Sequence, residues 1–164
     1  MREDRICLYC RPPACIIEQI VALAGLLTGE WFTANVPEDT RRDLLFHDVF
    51  CAELDNQVIG CLIFTSLDGS LQITLMATHP AFRGQGIGSR LMERFVHHAR
   101  QLGFERVVVL TVPPEVKPAY HATVHFYQKH GFVLNRHYTE LWEHGALELV
   151  KVLKSETGMI SRRN

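Results

Sequence analysis

No stretch of the chain offers the run of about 20 apolar residues that a bilayer crossing requires. The most apolar early segment, Ala14 to Leu27, is interrupted by Glu18 and Gln19 and reads as a buried or amphipathic helix. Long runs of one charge sign are also lacking. The formal net charge of the 164 residues is -1 and the pI is about 6.7. That balance excludes the broad basic surface of a nucleic-acid binder. Cysteine is sparse and odd in number, at five. Cys7 and Cys10 form one CxxC, but no second pair follows to complete a zinc site, so free thiols in a reducing compartment are expected. His121 and His125 are four apart on one helix face, yet no HExxH and no third ligand accompany them, and no metal is expected. The start, Met1 to Arg5, carries acids and lacks the apolar core of a secretory leader, which points to a cytoplasmic protein. Internal repeats and low-complexity segments are absent.

What is present suits one globular core: the composition is 47% hydrophobic and 21% charged. A single domain over residues 1–153 is expected, with a polar tail over 154–164. Arg5 to Cys10 reads as a short strand and Pro13 to Leu27 as a helix whose first turn suits proline. Gly29 to Thr33 reads as a loop and Pro37 to Phe46 as a second helix. Val49–Leu54 and Val58–Ser66 form a hairpin around Asp55-Asn56, and a third antiparallel strand runs from Leu71 to Thr78. A long helix follows with apolar Leu91, Met92, Phe95, Ala99 and Leu102 at spacings of three and four, stopped at Gly103. Arg106 to Val112 is a β-branched, central strand. Ala119 to His130 is a last helix, and Phe132–Tyr138 and Leu147–Leu153 a final strand pair. This order predicts an α+β fold with a mixed, mostly antiparallel sheet of about 6–7 strands flanked by about 4 helices.

The sharpest feature is Arg83-Gly84-Gln85-Gly86-Ile87-Gly88-Ser89, set between a strand and a helix. Helix N-termini expose unpaired N–H groups and partial positive charge, and phosphates bind there. Glycines let the backbone approach phosphate oxygens, and Arg83 adds a full charge. Residues 83–89 therefore read as a pyrophosphate cradle. A dinucleotide fingerprint would need a third glycine where Ser89 stands, and a Walker loop would need GKS or GKT. The signature that remains is Arg-x-x-Gly-x-Gly.

Two stretches, Met76-Ala-Thr-His-Pro-Ala-Phe-Arg-Gly-Gln-Gly-Ile-Gly-Ser-Arg-Leu91 and His125-Phe-Tyr-Gln-Lys-His-Gly-Phe132, resemble the GNAT superfamily of N-acetyltransferases. The likeness in element order runs from Arg5 to Leu153. It implies a three-layer fold with splayed central strands and acetyl-CoA as co-substrate, without a metal. It implies that the pantetheine arm pairs with the backbone of Met76, Ala77 and Thr78, and that an N–H near Met76 polarises the thioester. Tyr127 matches the family tyrosine that protonates the leaving thiolate. Tyr120 stands where the family often has a CoA-contacting asparagine, and the position of Thr123 is often alanine.

An acceptor amine would attack directly in a ternary complex; no cysteine lies in the motif strand or the Tyr127 helix. The acceptor site is implied between the first two helices, at Glu30, Trp31 and Phe32, and in the late strand pair, at Trp142. The alternative reading of Trp31 and Phe32 is that they plug the core beneath a loop. A lysine-like amine of pKa about 10.4 is free base about once in 2,500 molecules at pH 7, and an α-amine of pKa about 8 about one time in ten. Many family members supply a glutamate base on the motif strand, but Leu71 to Thr78 holds no acid. Glu30, Asp48, Glu53, His79, Glu143 and His144 are the other candidates. Two further readings stay open: a non-catalytic acyl-CoA sensor, and a nucleotide-binding module indifferent to CoA. A monomer or homodimer is expected, with no nucleic-acid or membrane partner.

Overall fold

The computed structural model describes residues 3–154. The expected polar tail, 154–164, lies outside them except for Lys154. Among the described residues the elements run β1 (Arg5–Tyr9), α1 (Ala14–Leu26), α2 (Val36–Asp43), β2 (Asp48–Leu54), β3 (Gln57–Leu67), β4 (Ser70–Thr78), a 3-10 turn (Pro80–Phe82), α3 (Ile87–Gln101), β5 (Arg106–Thr111), α4 (Tyr120–Lys129), β6 (Val133–Tyr138) and β7 (Ala146–Val152). The strands belong to a seven-stranded sheet in the order β1-β2-β3-β4-β5-β7-β6. Sheet and helices make the expected α+β fold. No described helix is long and apolar enough to cross a membrane.

Contacts divide the chain into two compact units. The first holds β1, α1, α2, β2, most of β3 and β4, and the first part of α3. Here β2 pairs antiparallel with both β1 and β3, and its middle residues are buried on both faces. One face carries Val49, Cys51, Cys61 and Ile63 against Ile16, Ile20, Leu23 and Leu27 of the α1 segment. The spacing of those helix residues puts them on one stripe, and each fully buried aliphatic side chain contributes about 1.5–3 kcal/mol. Pro13 caps α1, its carbonyl accepting the N–H groups of Ile16 and Ile17 at 3.0 Å each.

The β2–β3 hairpin turns through Asp55 (φ 50°) and Asn56 (φ 64°), both left-handed, which suits a two-residue turn between twisted strands. The register shifts at Ala52/Glu53: Ala52 pairs with Gly60 but Glu53 with Val58. Ile59 is left over as a bulge. Its carbonyl accepts the N–H of His79 at 2.8 Å, tying the end of β4 to the hairpin.

The second unit holds the end of α3, β5, α4, β6 and β7. β7 pairs antiparallel with β5 and β6. On β5, Val107, Val109 and Thr111 alternate inward, as period-2 spacing requires. Phe132 and Leu149 are fully buried beside this sheet portion. Lys151 donates to the carbonyl of His130 at 2.7 Å and satisfies the end of α4.

The second helix is shorter than the sequence pattern, ending at Asp43 where Leu44–Phe46 turns away. The carbonyl of Asp43 accepts from Phe46 and His47, which closes the turn and leaves Phe46 exposed. The 3-10 turn after β4 was not legible beforehand. His79 makes it, with Nδ1 accepting the Ala81 N–H at 3.1 Å.

Candidate active site

The cradle begins where that 3-10 turn stops. Gly84 (φ 75°) and Gly86 (φ 78°) both adopt the left-handed region, where an L side chain is strained. Gly84, Gln85 and Gly86 are exposed, and α3 starts at Ile87. The first helical bond runs from the Arg90 N–H to the Gly86 carbonyl at 3.0 Å. The loop thus delivers a helix N-terminus to the surface with its positive dipole end outward. Ile87 anchors it from below, buried against Gly60 of β3.

Arg90 braces the loop from one side. Its Nη1 donates to the Gln85 carbonyl at 3.1 Å, and its Nη2 donates to the Asp4 carboxylate. A side chain on Gly86 would meet Nη1 at 3.4 Å. Sequence reasoning missed Arg90 because nothing local marks its partner Asp4, which lies 86 positions away.

Arg83 turns to the other side. Its guanidinium lies 5.3 Å from the ring centroid of Trp31 and 3.7 Å from the Glu30 carboxylate. One residue of the predicted cradle and two predicted acceptor residues are thereby in one place. A tight loop holds Trp31: the Leu27 carbonyl accepts from Trp31 and Phe32 at 3.0 Å each, and Gly29 donates to Phe32 at 2.8 Å. Trp31 and Phe32 both pack on the apolar cluster of the first unit. Trp31 thus packs on the core and also carries the Arg83 guanidinium over its ring.

Met76 and Thr78 are half-buried on β4 and Ala77 is buried. The carbonyl of Ala77 is close enough to Gly60 that a Cβ there would meet it at 3.3 Å. Gly88 and Ser89 lie half-buried in the first turn of α3.

These features coincide with a family pattern. The family model "Acetyltransferase (GNAT) family" matches residues 18–132, well over half of the chain. The chain belongs to the GNAT acetyltransferase family. An amino-acid acetyltransferase of Mycobacterium tuberculosis is 35% identical over 81 residues, 49% of this chain and 41% of that protein. The chain spans less than half the length of the first curated relatives it matches. Among solved structures, the ribosomal-protein-S18-alanine N-acetyltransferase of Escherichia coli aligns over 94% of this chain and 97% of its own, with a TM-score of 0.76 at 10% identity. A GNAT acetyltransferase of Elizabethkingia anophelis with bound acetyl-CoA aligns over 92% and 98%, with a TM-score of 0.70 at 17% identity.

In the second unit of this GNAT chain, Tyr127 is 5% exposed on α4 and Tyr120 is 9% exposed. Their spacing of seven puts both on one helix face. The Tyr127 ring meets Phe126 edge-on at 5.5 Å and Phe132 at 5.4 Å. Burial, then the neighbouring Tyr120, push the Tyr127 phenol well above its ordinary value. It stays protonated at any physiological pH, and the same burial makes it a weaker acid than a free phenol. Burial likewise raises Tyr120, whose ring lies 6.0 Å from the Lys117 ammonium. Trp142 is exposed, in a left-handed conformation (φ 55°) that is costly for so large a side chain.

The acids proposed as bases separate clearly. Glu53 is 6% exposed, and both its oxygens are engaged: Tyr9 donates to one, Arg5 to the other at 3.1 Å. The Tyr9 phenol is raised above its ordinary value, first by that hydrogen bond and then by burial. Asp48 accepts the Arg11 N–H at 3.1 Å, and His79 is committed to the 3-10 turn. Glu143 and His144 lie 3.8 Å apart in the exposed turn before β7. Glu30 stands beside the loop, 3.7 Å from the Arg83 guanidinium.

Proposed function

We propose that this chain is an acetyl-CoA-dependent N-acetyltransferase acting on a primary amine by direct attack. The observation that carries the reading is the cradle: two left-handed glycines, a helix start at Ile87 and the flanking Arg83 and Arg90. The residues present fit a pyrophosphate, because Gly84 and Gly86 leave no side chain between the loop backbone and a ligand and the two arginines supply charge. Arg83 to Ser89 hold the pyrophosphate, and the backbone of Met76, Ala77 and Thr78 holds the pantetheine arm. The co-substrate supplies the activated acyl group. An N–H near Met76 stabilises charge on the thioester oxygen, and Tyr127 gives its proton to the departing sulfur. Tyr120 packs against the co-substrate in the place of the usual asparagine.

The acceptor is an α-amine. With no acid on β4 to remove a proton, an amine already about one-tenth free base at neutral pH is served far better than a lysine-like amine. The likeness to proteins named amino-acid acetyltransferases points the same way. For the direct route in a ternary complex, no cysteine lies on β4 or α4, and Cys51 and Cys61 are poor acyl carriers. They are buried, and burial holds their thiols far above the range in which a nucleophilic thiolate forms.

Titration of acetyl-CoA into the protein by calorimetry, beside Gly86→Glu, tests this. Binding by the parent, lost in the variant, is the expected result. Equal binding by both, or none by a folded parent, overturns it. Turnover of an amino acid or other amine then separates the enzyme from a silent acyl-CoA sensor.

A further inference from the structure

We propose that Trp31 and Glu30 form a cation-binding wall of the acceptor site, occupied by the guanidinium of Arg83 until the co-substrate's pyrophosphate draws it into the cradle. This rests on the proposed acetyl-CoA reading and deepens it. The wall selects acceptors that carry a second, non-reacting cation beside the amine.

The geometry is that of a recognised cation site. An aromatic face with a cation within about 6 Å of its centroid attracts it through the ring quadrupole. Here the distance is 5.3 Å, and a carboxylate stands 3.7 Å from the same guanidinium. The wall is fixed before anything binds: Trp31 is pinned by its backbone bond to Leu27 and by packing on the core. The guanidinium is held more loosely. The side chains of Arg83 and Glu30 are 38% and 64% exposed, and exposed pairs of this kind are weak. A pyrophosphate carries more negative charge than one carboxylate and would sit beside the glycines that directly follow Arg83. Arg83 therefore turns toward the bound pyrophosphate, and the Trp31 face and the Glu30 carboxylate become available together. The free protein thus holds a mimic of its own acceptor, and the co-substrate binds first.

Trp31 reports on this directly. The chain has two tryptophans, so Trp142→Phe leaves Trp31 as the sole indole. In that background, saturating CoA is expected to change the Trp31 emission, and to leave it unchanged when Arg83→Met is added at a CoA concentration that calorimetry shows to occupy the variant. L-Argininamide is the acceptor probe, with L-norleucinamide as its uncharged counterpart. With CoA bound, argininamide should bind about tenfold more tightly than without it. Glu30→Gln should remove that gain, and norleucinamide should not show it. Arg83→Met should bind argininamide equally well with and without CoA. If calorimetry shows CoA binding while Trp31 emission stays unchanged, the wall proposal fails and the acetyl-CoA reading stands. It fails equally if argininamide ignores both CoA and Glu30→Gln. If CoA does not bind at all, both fall.

Discussion

A Cβ placed on Gly60 would lie 2.8 Å from Cγ2 of Ile87 and 3.3 Å from the Ala77 carbonyl. The first residue of α3 therefore rests directly on the backbone of β3. Gly60→Ala forces a β-branched side chain and a strand backbone apart, an overpacking that costs about 1–3 kcal/mol. For a chain of this size that is a fall of about 2–4 °C in Tm for each kcal/mol. Because Ile87 opens the cradle, acetyl-CoA affinity should fall with it. A melt and a calorimetric titration of the same sample check both.

Arg90→Met removes the donor to Gln85 and the pair with Asp4 together. The pair is partly exposed, so the melting temperature should barely move. The loop loses one hydrogen bond to its backbone, and acetyl-CoA should bind about tenfold more weakly. Arg90→Lys, with charge but no fork, should recover part of this. Unchanged affinity in Arg90→Met would show that the loop holds its course without the brace.

Tyr127→Phe keeps the ring contacts with Phe126 and Phe132 and deletes the proton. Turnover should drop about 100-fold, the lower end for a general acid, since a thiol leaves fairly well unaided. Acetyl-CoA affinity should stay within about threefold of the parent, because the hydroxyl acts only as sulfur departs. Steady-state kinetics with a calorimetric Kd separate the two.

Glu53 is a structural carboxylate. Glu53→Leu leaves the Tyr9 hydroxyl without its acceptor, a loss of about 1–3 kcal/mol in urea unfolding. Adding Tyr9→Phe should recover much of that. Activity per folded molecule should not change in either variant. A folded Glu53→Leu protein without activity would instead make Glu53 the missing base.

Alkaline pH should unfold the protein early. Burial pushes the Cys61 thiol up to about 12, and Cys51, Tyr9 and Tyr127 are raised too. Each favours its neutral form in the folded state, so its contribution is complete below the unfolded value and is lost as pH rises. The window opens near pH 8.5, where unfolded thiols ionise, and for Cys61 runs to about 12. Urea midpoints at pH 7, 9 and 10 should decline steadily. Cys61→Ala should flatten that decline even though its midpoint at pH 7 is lower.

Most of the fold could be read from periodicity. The stripe of α1, the alternation in β5 and the turn at Asp55-Asn56 are local signals, and the structure follows them closely. The glycine-rich loop before α3 was legible for the same reason, since closely spaced glycines ahead of a helical pattern mark a turn, and Gly84 and Gly86 do turn left-handed there. Three things were not. The end of α2 depends on how the Asp43 carbonyl closes the following turn with Phe46 and His47, a local choice that helical spacing does not reveal. The Arg90–Asp4 brace and the Tyr9–Glu53 bond join residues far apart in sequence. The place of Trp31 beneath Arg83 joins two segments that were each singled out, but no spacing rule connects them.

The tie between the His79 N–H and the Ile59 carbonyl is made by main chain on both sides. So is the helix start at Gly86. A site laid out this way asks little of side-chain identity, and its sequence is free to drift while the shape endures. Descent can then erase the letters faster than the form. The fold itself shows as much: a solved structure with 10% identity aligns over 94% of this chain.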